Sequence, residues 1–292
     1  MTLPPRHPEL ARPFPPHAAG MAQASYYCAP YFCGIDIGGT GIKIGLVDDQ
    51  GRTLGCTSVP TDPQDGFDAA LERIIAAIET LTAESGITFA DLAGVGCGIP
   101  GLIDLQAGTL LSAHNLPTWD NTPVVVLLSE KLGLPVTFAN DANAATYGEF
   151  WSGGGRSRRS LVLLTLGTGV GGGIVLDGTL VHGAHDIGGE LGHIIIDSRD
   201  DARLCGCGQR GHLEAYCSAT AVRQRTEDAL AAGANGRLSV LRAKGQTLTA
   251  LDVSEAAQAG DATGLRIMRA RRRVIWGSAS RPSSTCWIPT SY

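Results

Sequence analysis

Residues 36–43 read DIGGTGIK and residues 166–173 read LGTGVGGG. When Gly39-Thr40-Gly41 is aligned with Gly167-Thr168-Gly169, Ile42 falls on Val170, Gly45 on Gly173, Leu46 on Ile174, Val47 on Val175 and Asp49 on Asp177. A chance coincidence of glycines would not keep the flanking apolar residues in step. Each copy is a β-rich run, a glycine turn and a second β-rich run. The chain is therefore expected to contain two similar halves that face each other across a cleft.

Glycines at such a turn let backbone N–H groups come close to phosphate oxygens, and a threonine hydroxyl adds a further donor. Gly38, Gly39, Thr40 and Gly41 in the first copy, with Thr168 and Gly169 in the second, are the candidate residues for the phosphates of ATP. Asp36, at the end of the first strand, is placed to hold Mg2+ directly or through water. Lys43 either neutralises phosphate charge or is a solvated strand residue. The segment is not a Walker A loop, since no G-x-x-x-x-G-K-[ST] is present.

Around this pair, YFCGIDIGG, IKIGLVDDQ and TLGCTSVP predict three short strands in an antiparallel meander. Residues 66–84 carry apolar residues at helical spacing, GVGCGIPGLID reads as a buried strand ending in a Pro-Gly turn, and a helix is expected over Val124–Leu132. PVTFAN is then a short strand, followed by a helix that opens at Asp141.

The composition is that of a soluble globular protein, with 43% hydrophobic and 17% charged residues among 292. A formal net charge of −5 argues against a nucleic-acid-binding surface. No apolar run reaches the roughly 18 residues of a membrane helix. The first twenty residues are proline-rich without an apolar core, which is not a secretory signal, so a cytoplasmic location is expected. Of the eight cysteines, Cys28, Cys33, Cys56, Cys97 and Cys217 are scattered and read as reduced thiols.

Between the glycine loops, Asn140-Asp141-Ala142-Asn143-Ala144 starts a helix straight after a strand. An Asp there is commonly an N-cap. At a strand end facing the cleft, it can instead accept the proton of an attacking hydroxyl, and phosphoryl transfer asks for no stronger base. Asp141 is taken as the catalytic base and Asn140 as a hydroxyl-orienting amide. Further on stand Gly189-Glu190-Leu191-Gly192-His193 and Cys205-Gly-Cys207, with His212 and Glu214 close behind. His193, Cys205, Cys207 and His212 are enough ligands for a tetrahedral structural Zn2+; the alternative is two reduced thiols and two surface imidazoles. Glu190 and Glu214 can accept hydrogen bonds from sugar hydroxyls, or are ordinary surface carboxylates.

Together, DIGGTGIK, GIPGLID, NDANAATYGE, LGTGVGGG, GGELGH and CGCGQRGHLE resemble the ROK family of repressors and kinases, and within it the bacterial glucokinases, over about Tyr31 to Met268. The resemblance implies an α/β, actin-like (ribonuclease-H-like) fold of two lobes with an interlobe cleft. It implies Asp141 as the base for a sugar hydroxyl, sugar contacts from Asn140, Asp141, Glu190, His193 and Glu214, and a zinc ligand in His193. It further implies ATP-dependent phosphorylation of a hexose at its 6-hydroxyl, glucose first, and a homodimer by analogy. Other hexose or N-acylhexosamine kinases are the alternatives. The family pattern C-x-C-G-x-x-G-C-x-E is broken by His212 in place of the third cysteine, and imidazole is also a zinc ligand. A ROK repressor would need a helix-turn-helix ahead of Tyr31, which a short proline-rich stretch does not supply.

The expected organisation is a disordered leader over residues 1–30, an N-terminal lobe over 31–139, a C-terminal lobe with the zinc loop over 140–270, and an aberrant tail over 271–292. Beyond Met268 the helical pattern is expected to stop. The codons around Trp287, read one base earlier, encode Leu-Asp as the family has, so a frameshift between about Met268 and Ile275 is proposed. An inactive sugar-binding remnant is the reading that follows if the adenine-binding part is missing.

Overall fold

The structure is a computed structural model and describes residues 30–276. The leader, Cys28 and the tail beyond Trp276 lie outside the described residues.

The first half begins with β1 (Tyr31–Ile37), β2 (Gly41–Asp48) and β3 (Thr53–Pro60), an antiparallel meander as the sequence predicts. Alternation decides its faces: Cys33, Ile35 and Ile37 pair with Leu46, Ile44 and Ile42, and all six are buried on one side. Helix α1 (Phe67–Glu84) presents Phe67, Ala70, Leu71, Ile74, Ile78 and Leu81 along one stripe and packs on β2 and β3. The chain then enters β4 (Leu92–Ile99), parallel to β1. After a Pro-Gly turn come the small hairpin β5 (Leu102–Asp104) and β6 (Thr109–Ser112), helix α2 (Val124–Leu132) and β7 (Val136–Asn140), parallel to β4. The sheet order is β3-β2-β1-β4-β7. Trp119, fully buried, meets Phe67 edge-on with ring centroids 5.1 Å apart and donates from Nε1 to the Pro63 carbonyl at 3.2 Å. That satisfied indole ties the loop between β6 and α2 to the turn after β3 and the start of α1.

Helix α3 (Asp141–Trp151) leaves β7 directly and packs on both halves, against β4 and β7 on one side and β8 (Leu161–Leu166) and β9 (Val170–Leu176) on the other. Gly171 and Gly173 make this close fit: a Cβ on either would come within 3.0 Å of Ala142 or 2.2 Å of Thr146 Oγ1. With β10 (Thr179–Leu180), β8 and β9 form a three-stranded sheet, followed by α4 (Glu214–Cys217), α5 (Ala219–Ala231), α6 (Arg237–Ala243), α7 (Ala250–Gln258) and α8 (Ala262–Trp276).

The repeated loops differ in a way that the alignment hides. In the first hairpin Ile37 pairs with Ile42 and the turn holds residues 38–41; in the second Leu166 pairs with Val170 and the turn holds only 167–169. The strands after the two turns correspond at the spacing the sequence suggests, but the strands before them are offset by one residue. The register position of Asp36, opposite Lys43, is therefore occupied by Thr165, opposite Gly171. The carboxylate belongs to one loop only.

The tail expectation needs correcting. Residues 269–276 continue α8, with Ile267, Met268, Ala270, Arg271, Val274 and Ile275 turned inward while Arg269, Arg272 and Arg273 are exposed. That is helical period, masked in the sequence by the run of arginines. Val274 and Ile275 pack on the cluster of Leu166, Val170, Leu213 and Cys217, and Arg271 Nε donates to the Cys217 carbonyl at 2.7 Å, capping α4. The helical pattern expected to stop beyond Met268 thus runs on to the end of α8.

Candidate active site

Where β7 gives way to α3, Asn140 is the N-cap: its Oδ1 accepts from Ala142 N at 3.0 Å and Asn143 N at 3.4 Å. The capping role considered for Asp141 is filled by its neighbour. Capping consumes the acceptor end of the Asn140 amide and leaves its NH2 to donate. Asp141 occupies the first helical position, where Oδ1 accepts from Ala142 N at 2.8 Å. Its surface is reached through the cleft, yet the cleft walls surround it on most sides. Burial first, and the Asp36 carboxylate as well, raise its carboxyl above the ordinary aspartate range, against the lowering effect of the Ala142 N–H.

Asn140 and Asp141 lie in a cleft of about 650 Å3 between the halves, whose other walls include Glu190, His193 and Glu214. The five residues assigned to the sugar from sequence are thus gathered in one cavity, although they come from β7, α3, the loop after β10 and the start of α4. The cleft also holds residues that the sequence reading missed: Gly101, His114, Asn115 and Asp186. Gly101 has φ +104, and a Cβ there would lie 2.3 Å from the Ser112 carbonyl oxygen, so the turn that shapes this wall admits only glycine. Asp186, on the second half, accepts from Leu105 N at 3.2 Å on the first, a bond across the cleft. Neither Asn115 nor Asp186 sits in a periodic segment, so pattern gave no signal for them.

Of the candidate phosphate residues, Asp36, Gly38, Gly39, Thr40, Gly41, Lys43, Thr168 and Gly169, none lines the cavity itself. They rim it. A Cβ on Gly39 would lie 2.6 Å from Asn115 Cβ, and one on Gly169 would lie 2.5 Å from Glu214 Oε2. Lys43 Nζ stands 3.9 Å from Asp36 Oδ2, with both side chains exposed, so the pair is weak and screened. Lys43 thus stands on β2 with its ammonium in solvent beside Asp36.

Behind Glu190 and Glu214 lies the Cys/His cluster, whose donor atoms all fall within 4.8 Å of one another. His193 Nδ1 is 3.2 Å from His212 Nδ1 and 3.8 Å from Cys205 Sγ, and Cys207 Sγ is 3.2 Å from His212 Nδ1. Zinc bonds of about 2.0–2.1 Å to nitrogen and 2.3 Å to sulfur give tetrahedral edges of about 3.4 Å between nitrogens and about 3.6 Å between nitrogen and sulfur. The observed separations are close to those edges, so the cluster can hold such an ion. His212 is largely buried, not on the surface, and reaches the position a cysteine would fill. His193 uses its two nitrogens differently: Nδ1 faces the cluster, while Nε2 stands 3.8 Å from Glu190 Oε2. Around the loop, Tyr216 donates to Asp197 at 2.7 Å and Arg199 forks onto the same carboxylate. Those bonds hold Asp197 well below the usual carboxylate range.

Over residues 32–276 the chain matches the ROK family. It is 36% identical over 238 residues to the glucokinase of Halalkalibacterium halodurans, covering 82% of this chain and 72% of that protein. It is 36% identical over 195 residues to the N-acetyl-D-glucosamine kinase of Pectobacterium atrosepticum, covering 64% of this chain and 62% of that protein. A ROK family glucokinase from Streptomyces griseus, solved in complex with glucose and AMPPNP, is 34% identical, with a TM-score of 0.67 over 84% of this chain and 76% of that one. The two halves and their cleft are those of the actin-like ATPase fold. No helix among the described residues is long and apolar enough to cross a membrane.

Proposed function

The chain belongs to the ROK family and is a sugar kinase, and from this premise we propose that it transfers the terminal phosphoryl group of ATP to the 6-hydroxyl of a hexose, glucose first. The supporting observation is the placement of Asp141 at the start of α3, inside the same cavity as Asn140, Glu190, His193 and Glu214. A hexose set there has donors and acceptors on several sides. The Asn140 NH2 donates to a hydroxyl, the carboxylates of Glu190 and Glu214 accept from hydroxyls, and His193 Nε2 faces the same space.

Asp141 takes the proton of the 6-hydroxyl as its oxygen bonds to the terminal phosphorus and the bond to the ADP oxygen breaks. Its raised pKa suits it to hold that proton, and the α3 N-terminus keeps the carboxylate fixed through the Ala142 N–H. The two glycine-threonine turns supply N–H groups to the phosphates from opposite rims of the cleft. Asp36 would hold Mg2+, whose charge neutralises the phosphates during transfer. His193, Cys205, Cys207 and His212 would hold a structural Zn2+.

A coupled ADP-release assay over glucose, mannose, fructose, N-acetylglucosamine and N-acetylmannosamine tests the reading. Glucose is expected to give the highest kcat/KM. Faster turnover of an N-acylhexosamine would move the substrate while keeping the reaction, and no ADP release with any sugar would remove both.

A further inference from the structure

The stretch that follows the Cys/His cluster is tied to the second glycine-threonine loop. Glu214, two residues after His212, accepts from Val170 N at 2.9 Å through Oε2. Its other oxygen, Oε1, stands 3.5 Å from Cys205 Sγ inside the cluster. Slightly further along, Ala219 N donates to the Gly167 carbonyl at 2.9 Å, and Thr220 Oγ1 donates to the Thr168 carbonyl at 2.9 Å. Gly169 has no Cβ because Glu214 Oε2 occupies that space. One carboxylate thus touches the metal-binding cluster with one oxygen and the phosphate loop with the other.

We infer that Glu214 is a positioning residue that couples metal loading of the Cys/His cluster to the phosphate affinity of the loop at residues 167–170. The inference rests on the kinase reading for the identity of the loop's ligand. An ion on His193, Cys205, Cys207 and His212 fixes the stretch in which Leu204 bridges Arg210 and Ile195 bridges His212, a hairpin-like turn that ends at Leu213, and so fixes where α4 begins. With Glu214 held there, the Val170 N–H is locked and the turn keeps the shape that exposes its other N–H groups. A loose hairpin lets Glu214 swing, and the turn loses the contact that fills the gap beside Gly169. The metal then governs the nucleotide end of the site as well as the sugar end.

Calorimetric titration of the full chain with Mg2+-adenylyl imidodiphosphate, and separately with glucose, tests this. Removing the metal with a chelator is expected to weaken the analogue about tenfold, equal to about 1.4 kcal/mol. Glu214→Ala should show that weakened affinity with the metal still bound, and should no longer respond to stripping. Glu214→Gln, whose carbonyl can still accept from Val170 N, should recover most of the affinity, which a generally damaged fold would not do. If stripping unfolds the chain, comparing the two variants in the loaded protein, with metal content checked by atomic absorption, tests the same coupling. An analogue affinity unchanged by stripping, or equal in wild type and Glu214→Ala, overturns the coupling while leaving the kinase reading intact. Loaded wild-type protein that binds no analogue would overturn both.

Discussion

Replacing Asp141 with Asn removes a charge and a base while leaving the local geometry in place. The amide oxygen can still accept from Ala142 N, as the carboxylate does at 2.8 Å, and the cap from Asn140 is untouched. Turnover should nevertheless fall about 10²–10⁴-fold, the usual contribution of a positioned general base, which is about 2.7–5.5 kcal/mol in the barrier. Stability should move the other way. Burial and the Asp36 carboxylate favour the neutral form of Asp141, so its folded pKa lies above the unfolded value of about 3.9. Between those two values the folded chain holds more protons than the unfolded one, and stability declines as pH rises through that window. Above it the ionised carboxylate is a standing cost, which the Asn variant escapes. Thermal melts should therefore show Asp141→Asn more stable than wild type at neutral pH, with the gain disappearing as pH falls into the ordinary carboxylate range. In the ADP-release assay, the wild-type kcat/KM should climb through a pKa above about 3.9, and the residual rate of the variant should lack that limb. A variant that turns over within threefold of wild type, or melts lower at neutral pH, would refute the assignment of Asp141 as a desolvated base.

Gly101→Ala should lower the melting temperature by an amount equivalent to at least about 1–3 kcal/mol, since the backbone is left-handed there and the Ser112 carbonyl occupies the Cβ position. Differential scanning calorimetry reads the loss, and an unchanged midpoint would contradict the close approach. Purified protein is expected to carry about one zinc per chain by atomic absorption, and chelation should lower its thermal midpoint; protein free of zinc after growth with the metal would remove the structural Zn2+. Burial pushes the Cys33 and Cys97 thiols up to about 12, so both stay protonated at pH 8. Iodoacetamide mapped by mass spectrometry should label exposed Cys56 well before either of them.

Much of the fold was legible because its signals are local. Short β-rich runs broken by Gly and Asp marked β1 and β2, a buried apolar run marked β4, the stripe from Phe67 to Leu81 marked α1, and Val124–Leu132 emerged with the predicted ends. The candidate site was legible where a motif names its chemistry: Asn140, Asp141, Glu190, His193 and Glu214 share one cavity, as their motifs suggest. The readings that failed depended on contacts invisible along the chain. Arg271 stood in the stretch read as an aberrant tail, whereas its guanidinium has a partner in the Cys217 carbonyl; Asp186, which the sequence reading missed, acquires meaning only through the Leu105 N–H across the cleft.

The sequence by itself determined that two glycine-threonine turns occur, which chemistry stands between them, and which donors could form a metal site, because residue type and spacing carry that information. Tertiary structure decided the rest. It showed that the turns are unequal, since register is a property of hydrogen-bond pairing and not of identity. It made Asn140 the cap and freed Asp141 to face the cleft, because capping depends on backbone angles at a strand–helix junction. And it set Glu214 between the cysteines and the second turn, a contact spanning 44 residues to Val170 that no local pattern encodes.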